Sequence, residues 1–222
     1  MQRKFEVAAF DVIGTLFSLD TLRPRLQAVG LPAKALELWF AELLRDAFAL
    51  IATGRYRPFR DVAAAALTRL AGQEDALGAS QVDQVLDGFA HLDPYPDAAS
   101  GMQRLRERDV RIVALTNGGA DVTDSLLDRS GLGRFVECSI SVDEVKSWKP
   151  ASEVYLHCAR KMGVAPDRLA LVAAHDWDIH GARCAGLLTG YVARQGASFS
   201  TVMTPPHVSG STLVEVVDEL LR

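Results

Sequence analysis

The sequence predicts an α/β protein, a doubly wound parallel sheet with an all-helical segment inserted after the first strand. Three observations carry this. Short runs of mostly consecutive apolar residues recur along the chain, the pattern of strands covered on both faces. Helical spacing or helix-start signals fill the intervals between the later runs. One long interval near the start has helical spacing and no strand pattern at all.

In order, residues 7–10 (VAAF) form the first strand, and FSLD leads out of it. From about residue 20 to residue 91, segments such as LELWFAELLRDAFALI and RDVAAAALTRLAG repeat apolar residues every three or four positions, as amphipathic helices do. HLDPYPDA, with Pro94 and Pro96, reads as the return linker. The division that follows is a core of residues 1–18 and 93–222 with a helical cap of residues 19–92. Strands are expected at 110–115 (VRIVAL), 135–142 (FVECSISV), 169–174 (LALVAA) and 189–193 (TGYVA), with helices at 96–108, 119–130, 150–162 and 179–185.

Composition narrows the function. With 222 residues, 49% of them hydrophobic, the chain can bury one substantial core, enough for an enzyme. A formal charge of -4 gives no broad basic surface, which argues against nucleic acid and anionic membrane and for a small soluble partner. Cys138, Cys158 and Cys184 are odd in number and lack metal-type spacing, so neither a disulfide framework nor a zinc site is expected. MQRKFEVAAF is too short in apolar length for a signal peptide, and no later window suits a membrane span. A cytoplasmic protein is expected.

In an open parallel sheet, ligands bind beyond the carboxyl ends of the strands. The first polar residues there are Asp11, then Thr116 and Asn117, then His175, Asp176 and Asp178. Lys149 precedes Pro150, and proline favours the first helical turn, so this lysine is expected at a helix N-terminus. A cation there opposes the helix dipole by about 0.3–1 kcal/mol, and Asp11 is its natural counter-charge. Taken singly each residue has a plainer reading: Asp11 as a turn former, Lys149 as a surface charge, Trp177 as packing.

Together, Asp11 in DVIGTL, Thr116 in LTNG, Lys149 in WKP and Asp178 in WDIHGA resemble the four motifs of the haloacid dehalogenase superfamily, in order and along essentially the whole chain. Within it the likeness runs to the L-2-haloacid dehalogenases (type II), through GTLF, SVDEV, the KP pair followed by Tyr155, and the WDxxGA string containing Trp177. The resemblance implies a Rossmann-like core and a helical cap, with Asp11 displacing halide from a short (S)-2-haloalkanoic acid. Water would then cleave the aspartyl ester. It further implies that Thr15, Thr116, Asn117 and Tyr155 serve substrate binding, that Lys149 keeps Asp11 ionised, and that Asp178 orients Lys149 or the water. Trp177 would wall the crevice.

Ile13 and Ala174 stand where the superfamily's phosphatases place acids. A reaction with no metal and no other cofactor is therefore expected, since a hard cation needs oxygen ligands and halide needs no proton to leave. The pattern is not complete. Phe40 falls where these dehalogenases carry a halide-binding arginine, and Ala173 and His175 replace a serine and an asparagine. His175 is a candidate base for the ester-cleaving water. The expected partner is a small-molecule carboxylate substrate, and a homodimer stays open. The alternatives are a phosphatase with a degenerate metal site and a non-catalytic binding protein of the same fold.

Overall fold

In the computed structural model, which describes residues 5–72 and 77–222, β1 (Val7–Phe10) is buried at all four positions. The first four residues of the expected core and residues 73–76 of the expected cap lie outside the described residues. Burial on both sides explains why β1 carries no polar alternation. It pairs in parallel with β4 (Arg111–Thr116) on one side and β6 (Leu169–Ala173) on the other, so that Phe10 stands beside both Ala114 and Val172. The full order is β5-β4-β1-β6-β7-β8, with β5 at Cys138–Ser141, β7 at Leu188–Val192 and β8 at Val208–Gly210. Alternate residues of β1 explain the two layers. Ala8 and Phe10 pack in one cluster with α5 (Ala98–Arg106), α6 (Ala120–Ser130) and α9 (Leu213–Leu220), while Val7 and Ala9 face α7 (Ser152–Met162) and α8 (Asp176–Cys184).

The segment after β1 is helical among the described residues. A two-residue antiparallel pair, β2 (Phe17–Ser18) with β3 (Asp93–Pro94), closes its base. Between them run α1 (Arg23–Ala28), α2 (Ala35–Ala52), α3 (Phe59–Ala71) and α4 (Ala79–Leu86). On α2, Leu36, Trp39, Leu43 and Ala47 are buried, the three- and four-residue spacing read from sequence. Trp39 also donates its indole N–H to the Ala63 carbonyl at 2.9 Å, fastening α2 to α3. No helix of the described residues is long and apolar enough to cross a membrane.

Several sequence expectations need correction. The strand expected over 135–142 shrinks to Cys138–Ser141, because a 3-10 turn ends at Phe135 and another starts at Val142, capped by the Ser141 hydroxyl accepting from the Asp143 N–H at 3.1 Å. The edge strand β8 and helix α9 carry no sequence expectation. Lys149 does not sit at a helix N-terminus: the Lys149–Pro150 peptide is cis, Ala151 is extended, and α7 begins only at Ser152. In the other direction, α8 starts at Asp176 rather than residue 179, which puts Asp178 in its first turn.

Trp39→Ala should lower stability by about 3–5 kcal/mol, the cost of emptying a large buried site. Urea denaturation checks this, and a midpoint unchanged from wild type would show that α2 and α3 do not depend on that contact.

Candidate active site

The sheet delivers Asp11 to its position. As the first residue beyond β1, it still donates its N–H to the Val172 carbonyl of β6 at 3.1 Å, so its backbone is held in the sheet while its side chain leaves it. The chain then turns sharply. Gly14 has φ +83°, a left-handed conformation that disfavours other residues, and its N–H reaches the Phe17 carbonyl at 2.8 Å. The turn folds Thr15 back so that its hydroxyl donates to Asp11 Oδ2 at 2.6 Å and accepts from the Ala174 N–H at 2.9 Å. Arg194 closes the loop from behind, donating to the Thr15 carbonyl at 2.9 Å and pairing with Asp97 at 2.7 Å.

Lys149 meets Asp11 from the other side. Its ammonium donates to Asp11 Oδ1 at 2.7 Å, to Asp178 Oδ2 at 2.7 Å and to the Leu115 carbonyl at 3.0 Å, so all three protons are used and the residue is fully buried. Asn117 fixes its backbone, accepting the Lys149 N–H at 2.9 Å. Asp178 is completed by the Tyr155 hydroxyl, which donates to Oδ1 at 2.6 Å. This close approach requires Gly181, where a Cβ would stand 2.5 Å from Pro150 Cβ and 2.8 Å from the Tyr155 hydroxyl.

Three charges thus share a dry interior. Burial pushes the Asp11 carboxyl upward, but Lys149, aided by His175 and Thr15, outweighs this and holds it below the ordinary aspartate value. Burial alone would discharge Lys149, yet the two carboxylates hold it above the ordinary lysine value. Asp178 goes the other way, raised by burial and by the nearby Asp11 charge despite Lys149. The arrangement favours an ionised Asp11.

A cavity of about 20 Å³ opens on Asp11, room for about one water. Ile13, Phe40, Phe59 and Trp177 supply its apolar walls, and Thr116, Asn117 and His175 its polar ones. Ile13 and Phe59 separate it from a neighbouring cavity of about 200 Å³. Phe40 and His175 separate it from another of about 370 Å³ on the opposite side. The His175 ring stacks on Trp177 at 5.1 Å between centroids, and its Nε2 lies 3.0 Å from the Ile13 carbonyl and 3.7 Å from Asp11 Oδ2. Since a carbonyl only accepts, Nε2 carries the proton in the neutral ring and Nδ1 is left as the acceptor. Gly14 makes space for this ring, because a Cβ there would come within 2.8 Å of Nε2.

Of the residues singled out in the sequence, Asp11, Lys149, Asp178, Thr15, Thr116, Asn117, His175, Trp177 and Phe40 converge at this point. Two are placed differently from the expectation of substrate contact. Tyr155 lines no part of the cavity and is spent on Asp178, and Thr15 is fully buried between Asp11 and Ala174. Asp178 is fully buried, lines no part of the cavity, and accepts from Lys149 and Tyr155. Asp176 is half-buried, accepts from the Trp177 N–H at 2.8 Å and lines no part of the cavity. Sequence reasoning gave no role to Phe59, Gly14, Gly181 or Arg194. The two glycines were visible within IGT and IHGA, but only their neighbours in space give them meaning.

The residues present do not fit a divalent cation. The Asp11 and Asp178 oxygens are taken by ammonium and hydroxyl donors, and Ile13 and Ala174 offer no side-chain oxygen.

The parallel sheet thus presents a buried, lysine-paired aspartate at its central carboxyl edge, next to a helical insertion, the place where open α/β folds bind their ligands. The haloacid dehalogenase-like hydrolase family profile matches residues 5–186, and the chain belongs to that family. It is similar to the (S)-2-haloacid dehalogenase 4A of Burkholderia cepacia, at 28% identity over 99% of this chain and 94% of the relative. It is also similar to the haloacetate dehalogenase H-2 of Moraxella sp. (strain B), at 26% identity over 99% of this chain and 98% of that one. In fold it superposes on the L-2-haloacid dehalogenase of Xanthobacter autotrophicus with chloropropionic acid covalently bound, with a TM-score of 0.88 at 22% identity over 96% of this chain and 97% of the other.

Removing the ammonium should expose its effect on Asp11. In Lys149→Met the acid limb of the rate profile should move to higher pH, because the carboxyl loses the opposite charge that holds it down while burial still pushes it up. A limb that stays in place would mean that Lys149 does not set the ionisation of Asp11.

Proposed function

We propose that this chain is a hydrolytic dehalogenase of short 2-haloacids, with Asp11 as its covalent nucleophile. The observation that carries the reading is a buried Asp11 kept ionised by Lys149 while the position two residues on, Ile13, is apolar. An alkoxide leaving group would need a proton donor there. Halide needs none, and the names of the relatives point to the same substrates.

Lys149 and Thr15 grip opposite oxygens of Asp11 and fix the carboxylate plane, which reduces the reorganisation required for attack. Oδ2, nearer His175, attacks the carbon alpha to the carboxyl group from the face opposite the halide. The C–O bond forms as the carbon–halogen bond breaks, and halide leaves with the electron pair. Apolar walls at Phe40, Phe59 and Trp177 keep the ester dry until a single water enters. That water adds to the Asp11 carbonyl carbon, the acyl–oxygen bond breaks, and the 2-hydroxyacid departs. One proton per turnover is released.

Besides Asp11, His175 is the titratable side chain lining the cavity, and its Nδ1 is the group left to take the proton from water. The metal-dependent phosphatase reading lacks an acid at Ile13 and at Ala174.

Asp11→Asn should abolish turnover and leave the fold intact. A single turnover in ¹⁸O water should put the label into the Asp11 carboxylate, and the product should have inverted configuration. Label appearing directly in product would sink the ester mechanism. His175→Asn should preserve the first burst of halide and slow the following step by about 10²–10⁴. Identical steady-state rates would remove His175 from the proton transfer.

A further inference from the structure

The connection between α2 and α3 docks on the core through bonds that continue to the Asp11 cavity. Tyr56 sits in that connection, half-buried, and its hydroxyl donates to the Asp143 carboxylate. Burial, together with the Asp143 charge, pushes this hydroxyl above the ordinary tyrosine value, so it keeps the proton it donates. The Lys146 ammonium stands over the same ring, 5.3 Å from its centroid. One residue on, the Arg57 carbonyl accepts from the Trp148 indole, and Phe59 stacks on Trp148. Residues 56–59 are thus seated on residues 143–148 of the core.

From Asp143 the bonds run inward. The Asp143 N–H donates to the buried Ser141 hydroxyl at 3.1 Å, that hydroxyl donates to the Gly118 carbonyl at 2.7 Å, and the Gly118 N–H donates to the Thr116 hydroxyl at 2.9 Å. Between Thr116 and Gly118 lies Asn117, which lines the Asp11 cavity. Its side-chain oxygen accepts the Lys149 N–H, so its NH2 group is the donor left for a ligand. The cavity has room for about one water, too little for a 2-haloacid. Substrate therefore enters only when the walls from the helical segment, Phe40 and Phe59, draw away from those of the core. Tyr56 lies on the same stretch of chain as Phe59.

We propose that Tyr56 and Asp143 are positioning residues for ester formation: seating Tyr56 on Asp143 once substrate has entered fixes the turn of residues 116–118 and aims the Asn117 amide at the substrate. This rests on the reading of Asp11 as the nucleophile that displaces halide. Neither Tyr56 nor Asp143 lines the Asp11 cavity, and both act through Asn117. Losing the contact slows the displacement of halide in protein that remains folded.

Single-turnover halide release from (S)-2-chloropropionate, with the whole protein in excess and extrapolated to saturation, separates positioning from stability, because an unfolded fraction drops out of the limiting rate constant. In Tyr56→Phe and in Asp143→Ala that constant is expected to fall by about 10–10². The double variant is expected to be no slower than the slower single variant, since both changes break one contact. An unchanged limiting constant, with or without a shift in half-saturation, means that the contact only supports the fold or binding, and overturns the proposal. Losses that multiply in the double variant overturn it as well, because the two residues then act separately. If Asp143→Ala does not fold, Tyr56→Phe decides alone. A second readout needs no turnover: the Asn117 side-chain amide signals, identified in proton–nitrogen NMR spectra by their absence in Asn117→Asp, are expected to shift in Tyr56→Phe, and unchanged signals overturn the proposal. Failure of the nucleophile reading looks different: wild type itself then releases no halide and adds no mass to Asp11, while the Asn117 signals still decide the positioning role.

Discussion

The buried ammonium of Lys149 is the interaction on which the rest of the site depends. Two carboxylates, Asp11 and Asp178, lie within 2.7 Å of it in a buried interior. Neither acid could stay ionised there without it, and it could not stay protonated without them. Breaking such a group by removing one member typically costs about 3–5 kcal/mol, because an uncompensated charge is left behind. The stabilisation is mutual, but the pull is unequal. Asp11 is held down and Asp178 is pushed up, so the group at the cavity is the one whose ionised form is favoured.

Backbone geometry serves this trio at each corner. The turn at Gly14 returns Thr15 to Asp11 and leaves room for His175, while Gly181 lets α8 approach Pro150 closely enough for Tyr155 to reach Asp178. The helical segment joins in through Trp148, whose indole donates to the Arg57 carbonyl at 2.9 Å and stacks on Phe59. Phe59 also lines the Asp11 cavity. The residue next to Lys149 is therefore tied to the same segment that walls the Asp11 cavity, so cavity lining and charge placement share one support.

Polarity completes the division of labour. Behind Asp11 the Lys149 ammonium and the Thr15 hydroxyl are held by protein partners, whereas in front of it the walls are mainly apolar and aromatic. For the proposed displacement at carbon both would help: the fixed donors hold Asp11 in place, and the apolar front weakens solvation of its carboxylate.

How much of this was legible depends on range. The central strand was read correctly because β1 is buried on both faces and its residues report that without reference to any neighbour. The convergence of Asp11, Thr116, Asn117 and His175 was legible for a related reason. Adjacent parallel strands bring their carboxyl ends together, so the first polar residue after each apolar run has a predictable place. The strand at 135–142 was overread, because apolar residues flanking Cys138–Ser141 belong to 3-10 turns that local hydrophobicity does not distinguish from a strand. The sequence by itself determined the layers of the fold and the nomination of Asp11 and Lys149, since both follow from local patterning and motif order. Only the tertiary structure decided that Tyr155 serves Asp178, that Lys149 lies outside α7 and that His175 donates through Nε2. Those outcomes depend on contacts between residues 23 to 162 positions apart, whose distances and competition for hydrogen bonds no local pattern encodes.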